Sequence, residues 1–176
     1  QTIPFERVEG PGAATPRIFV EAVSMPLASR RLGRTDEAWL TQVLVRQRIL
    51  ETHFAVYSPL QIIQFDHLQM GVKRGPAEID ALFLATARAS VCCEAKGRRD
   101  DLLINQMVRQ VREVFRIPGV TQLRAIPVGA KAIARSEIHV VEFDAVSRDA
   151  IGATLTLQVA SQAVYVLKPE VPGVGE

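Results

Sequence analysis

The sequence predicts a mixed α/β fold built on one main sheet. Two segments, 35–54 and 101–115, repeat apolar residues at helical spacing, and several short apolar runs with strand character lie between and after them. Turn residues separate the runs. Three consecutive strand-like runs between 60 and 96 predict an antiparallel meander. The second helix is long enough to cross over to a parallel neighbour.

In chain order, residues 1–34 are rich in Pro, Gly and Ala and read as an N-terminal arm, with room for a short strand in "PRIFVEAVSM" (16–25). "TDEAWLTQVLVRQRILETHF" (35–54) reads as one helix with Leu40, Val43, Leu44 and Leu50 on its apolar stripe and Thr35 or Asp36 as its cap. Strands follow at 60–70, 77–85 and 89–96, with "GVKRGP" (71–76) as the turn after the first. Leu102, Leu103, Met107, Val111, Val114 and Phe115 return to helical period, and Pro118-Gly119 stops that helix. Further strands are predicted at 121–133 and 137–146, and a final hairpin at 153–160 and 163–169. Pro127 inside the first of these implies an edge strand or a bulge.

A chain of 176 residues, 48% apolar and 23% charged, has the profile of one globular domain with a hydrophobic core. No run of 18 apolar residues suggests a membrane span, and no basic start followed by an apolar stretch suggests a secretion signal. The reading is therefore cytoplasmic and without a membrane partner. The two cysteines, Cys92 and Cys93, are neighbours in an apolar run and read as buried hydrophobes. His53, His67 and His139 show no metal-ligand spacing, and no Walker loop, G-x-S-x-G or GxGxxG occurs.

Net charge is only +2, but it is unevenly spread. Nine Lys or Arg face three acidic residues between Lys96 and Arg135, and six acidic residues face two basic ones after that. A basic middle can face a polyanion. Asp80, Glu94 and Lys96 interrupt apolar strands, where charges are expensive unless paired or metal-bound. Strand alternation puts Glu94 and Lys96 on one face, and pairing across the turn at 86–89 brings Asp80 to the same end of the sheet. Two neighbouring carboxylates repel unless a cation lies between them, and Mg²⁺ needs only one or two carboxylates with waters and phosphate oxygens. The Ala95 carbonyl is a further oxygen, and Lys96 can orient or help deprotonate a water. These are the parts for phosphodiester hydrolysis.

The pattern Glu78-Ile79-Asp80, then Glu94-Ala95-Lys96, then "INQMVRQ" (104–110) resembles the PD-(D/E)xK nuclease superfamily over roughly residues 33–145. The family's proline before the first aspartate is absent; Pro76 lies four residues upstream. The resemblance implies a restriction-endonuclease-like core, a central mixed sheet flanked by helices over about 35–145, with a C-terminal β extension at 146–176. It also implies Asp80 and Glu94 as metal ligands with the Ala95 carbonyl, Lys96 as the catalytic lysine, and Glu37 and Gln106 as supporting residues. The cofactor would be Mg²⁺, with Mn²⁺ able to substitute. The partner would be DNA, its backbone tracked by Lys73, Arg74, Arg98, Arg99, Arg109 and Arg112. Restriction-type cleavage is the first expectation, the added terminal segments serving specificity or a homodimer contact. A repair or recombination nuclease, an RNA-directed nuclease and a non-catalytic binding module on the same fold are the alternatives.

Overall fold

A computed structural model describes residues 6–25, 36–60, 65–74, 77–85, 88–152 and 154–176. Among these, eight strands form one mixed sheet. They are β1 (Arg17–Glu21), β2 (Phe65–Arg74), β3 (Ala77–Ala85), β4 (Ala89–Lys96), β5 (Arg124–Ala134), β6 (Glu137–Phe143), β7 (Val146–Ser147) and β8 (Val159–Lys168). The order is β1-β8-β6-β5-β4-β3-β2, with β7 also on β5. The strands β2, β3 and β4 form the expected antiparallel meander. Helix α3 (Ile104–Val114) then crosses over, and β5 lies parallel to β4. The edge strand β1 runs parallel to β8.

Alternation along the strands sorts the core into two layers. Val91, Cys93 and Ala95 of β4, Ile126, Val128 and Ala130 of β5, and Ala163, Tyr165 and Leu167 of β8 face helices α1 (Glu37–Arg46) and α2 (Ile49–Val56). Leu82, Cys92 and Ala125 face Val111, Val114 and Phe115 on the α3 side. Both cysteines are buried free thiols, and burial pushes the Cys92 thiol up to about 12, so neither is a nucleophile at neutral pH.

The predicted single helix 35–54 is two helices. Arg48 adopts a left-handed backbone (φ 50°), which redirects the chain so that Ile49, Leu50 and Phe54 reach the core. Asp36 caps α1, its side chain accepting the Trp39 N–H at 2.8 Å. On α2, His53 is fully buried and satisfied on both ring nitrogens, by the Tyr165 hydroxyl (2.9 Å) and Ser161 Oγ (2.8 Å). Burial lowers it to about 4, so it is a neutral core histidine.

Three expectations are corrected. Residues 71–74 continue β2 instead of forming a turn, because they pair with β3 as far as Arg74↔Ala77. Among the described residues the C-terminal hairpin does not form: 159–168 is one strand whose partners are β6 and β1. Pro127 sits in a central strand, not an edge strand, and the pairing on one side is interrupted at its position. Pairing on that side passes from Ala125↔Val146 to Val128↔Glu142, so the residue without an N–H has no register partner where β6 gives way to β7. The short strand expected within 16–25 forms as β1; residues 6–25 also contribute the buried Ala22 and Met25, and Val8 N–H and Ile104 N–H bond to the Leu102 and Glu6 carbonyls, which ties this segment to the start of α3.

The loop after α3 is held by one side chain. Arg148 donates to the carbonyls of Phe115 (2.9 Å), Val120 (2.7 Å) and Gln122 (3.0 and 3.2 Å), with its guanidinium 4.8 Å above the Phe115 ring. A planar fork meets this set of acceptors and an ammonium cannot. Arg148→Met is expected to cost about 2–4 kcal/mol in a urea melt, with Arg148→Lys recovering less than half of it. Equal stability of the arginine and lysine proteins would contradict the fork.

Candidate functional site

The site forms where β3 and β4 stop pairing. Their last register pair is Ala81↔Cys93, so Asp80 and Glu94 are the next residues opposite each other, on one face. In place of a further backbone rung, Asp80 Oδ2 accepts the Ala95 N–H at 2.7 Å. The N–H and C=O of one strand residue point to the same side, so the Ala95 carbonyl also faces the Asp80 side. Glu94 is buried, at 6% exposure, because its face of β4 packs under α3. There Glu94 Oε2 accepts a hydrogen bond from Gln110 Nε2. Its other oxygen lies 3.0 Å from Lys96 Nζ, and Lys96 Nζ lies 2.8 Å from Glu37 Oε1 at the first residue of α1. Residues 37, 94, 96 and 110 thus form one chain of charges and hydrogen bonds.

Burial, and then the charge of Asp80, push the Glu94 carboxyl up to about 7. For Lys96, burial works to lower the ammonium, but the hydrogen bond to Glu37 and the charge of Glu94 outweigh it and hold it above the ordinary lysine value. Lys96 in this arrangement is a cation, not a base.

A cleft of about 440 Å³ opens beside this chain, lined by Glu37, Lys96, Arg99, Gln106 and, from the N-terminal segment, Arg7. Gln106 Oε1 is buried there without a hydrogen-bond partner. Among the described residues, no group of three or more His, Cys, Asp or Glu is arranged to hold a metal ion. A cation here would rest on Asp80, Glu94 and the Ala95 carbonyl, with Glu37 acting through Lys96.

The basic residues separate. Arg99 lines the cleft, whereas Arg98 donates to the Gly175 carbonyl at 3.4 Å and helps fasten the C-terminal segment. Arg109 is exposed on α3 and Arg112 is half-buried. At about 100° per residue they lie about 60° and 120° round the helix from Gln106, so Arg109 is the nearer to the cleft. The side chains of Lys73 and Arg74 lie outside the described residues. Lys131 and Arg7 are both drawn to Asp101, at 3.5 and 3.2 Å. Sequence reasoning missed Gln110 and Arg7. Gln110 is one helical turn beyond Gln106, a spacing that puts both on one face. Arg7 carried no signal, because only the pairing of 6–8 with the start of α3 brings it near.

No protein-family model, no curated protein and no solved structure matches this chain. No helix among the described residues is long and apolar enough to cross a membrane.

Because the folded state holds Glu94 above its usual value of 4.5, its ionisation works against folding. Stability is expected to fall as pH rises from 4.5 through 7, by about 2–3 kcal/mol. The side-chain carboxyl carbon of Glu94, followed by NMR, should titrate near 7, and Asp80→Asn should move that midpoint down. An ordinary glutamate midpoint in the native chain would contradict this arrangement.

Proposed function

We propose that the chain is a Mg²⁺-dependent deoxyribonuclease of the PD-(D/E)xK type, with a restriction-endonuclease-like core. The observation that carries the reading is the convergence of Asp80, Glu94, Lys96 and Glu37 at the end of two neighbouring strands, beside an open cleft whose lining mixes Arg7, Lys96 and Arg99 with Glu37, Asp100 and Asp101. Restriction-type cleavage is the first form, and a repair or recombination nuclease the second.

The residues fit a hard divalent cation. Asp80 and Glu94 repel each other, the Ala95 carbonyl faces the same side, and the orphaned Gln106 Oε1 can accept from a water in the cleft. When bound, the cation supplies positive charge and Lewis acidity at the scissile phosphate. Gln106 orients the attacking water. Lys96, held protonated, offsets the charge that grows on the phosphate oxygens, and Glu37 fixes the direction of its ammonium. Arg99 and Arg109 hold the DNA backbone.

The test is nicking of supercoiled plasmid with Mg²⁺ and with EDTA. Asp80→Ala and Lys96→Ala are expected to lower the single-turnover rate by on the order of 10³-fold or more, while Asp80→Ala leaves DNA affinity equal or tighter. Cleavage undiminished in Asp80→Ala, or indifferent to EDTA, would overturn the mechanism. DNA binding with no cleavage under any divalent cation would favour the non-catalytic module.

Arg99→Ala and Arg109→Ala should weaken binding about equally across sequences and flatten its salt dependence by about one phosphate contact each. Gel-shift titrations at two salt concentrations check this. An unchanged slope in both variants would remove these residues from the DNA path.

A further inference from the structure

A second and larger cavity, about 630 Å³, lies next to the candidate catalytic cleft. Arg7 lines both. Its walls are Val141, Phe143 and Leu157 from the sheet side and the glycine-containing segment 10–16 on the other. Backbone bonds at Val8 and Ile104 staple that segment to the start of α3, the same helix that carries Gln106, so cleft and cavity are built on one piece. Nothing in the proposed hydrolysis uses this space.

We infer that the cavity receives an unpaired nucleobase adjoining the phosphate held in the cleft. The inference rests on the nuclease reading and names its substrate class: DNA with an unstacked nucleotide beside the cleaved bond. Three features select this occupant. The volume lies in the range of small-ligand sites, and the apolar part of a mixed lining, Leu157 and Val159 with the largely buried Val141 and Phe143, suits one face of a flat heteroaromatic ring. One wall is polar in a directed way. His139 Nε2 and Gln162 Oε1 lie 2.8 Å apart, the imidazole N–H donating to the amide oxygen, which turns the Gln162 amide N–H groups to other acceptors, such as a base edge. Glu6 and Glu9 in the lining repel a second phosphate, so the charged backbone stays at Arg7 while the base enters. Arg7, exposed and bound to Asp101 at 3.2 Å, can exchange that partner for a phosphate at the boundary.

Gly12 lines the cavity, and a Cβ added there meets nothing within 4 Å, so the backbone tolerates a large side chain at this wall. The experiment uses short DNAs, each with one 2-aminopurine placed in turn along the strand, mixed with the native chain in EDTA. Fluorescence is expected to rise on the order of fivefold at one position, as for a base taken out of its stack, and to return to the free value with Gly12→Phe. A DNA with a mismatch at that position should bind more tightly than the matched duplex. No rise at any position, or a rise that survives Gly12→Phe, overturns the subsite, whether or not plasmid is nicked. A rise lost in Gly12→Phe in a chain that never cleaves with Mg²⁺ supports the subsite and overturns the nuclease reading instead.

Discussion

The surroundings of Glu94 are organised by the cost of burying its charge. A carboxylate with almost no contact with water must be neutralised, paired or hydrogen-bonded, and here all three pressures act. Its pKa rises, Lys96 approaches one oxygen, and Gln110 donates to the other. Lys96 in turn needs more than a half-protonated partner, and Glu37 supplies it from the far side. The start of α1, the end of β4 and the middle of α3 are thereby tied through polar side chains in addition to their apolar contacts. Asp80 completes the set by taking the Ala95 N–H, so the strand pair ends in a side chain instead of a ladder rung.

Such an arrangement survives only on a stiff support. The strands β4 and β5 are buried on both faces, and α3 lies across them with Val111 and Val114 fully enclosed. The two ends of the described chain brace the region around the cleft. Residues 6–8 bond to the start of α3, and the C-terminal segment packs Val171 and Val174 into the core while Trp39 Nε1 donates to the Pro172 carbonyl. Gly175 shows how close this seal is: its φ is +75°, and a Cβ there would stand 1.9 Å from the Ala134 carbonyl oxygen. Arg98 adds its bond to Gly175, which makes it part of the brace more than of a DNA path.

Other buried polar groups solve the same problem without any cleft. Glu142 accepts from Ser58 at 2.7 Å and Ser161 at 2.6 Å, and Ser161 also meets His53. Every member has a partner there, which makes it a locking network for α2 against β6 and β8. At the candidate site, by contrast, Gln106 Oε1 is buried with none.

What the sequence determined by itself was local. Period-two apolar runs specified β3 and β4, charges inside those runs marked Asp80, Glu94 and Lys96, and helical spacing specified α3, because these signals need only neighbours along the chain. The meander and the parallel crossover followed from element order. The break at Arg48 was not legible, since the apolar stripe runs through it and only the packing of α2 demands the left-handed turn. Nor was the fate of 153–169: both halves have strand character, but β6 and β1 offer partners only to 159–168. The tertiary structure alone decided that Lys96 is a held cation, that Gln110 shields Glu94, and that Arg7 stands between two cavities. Each depends on residues far apart in sequence meeting where water is excluded, and distance along a chain carries no record of that.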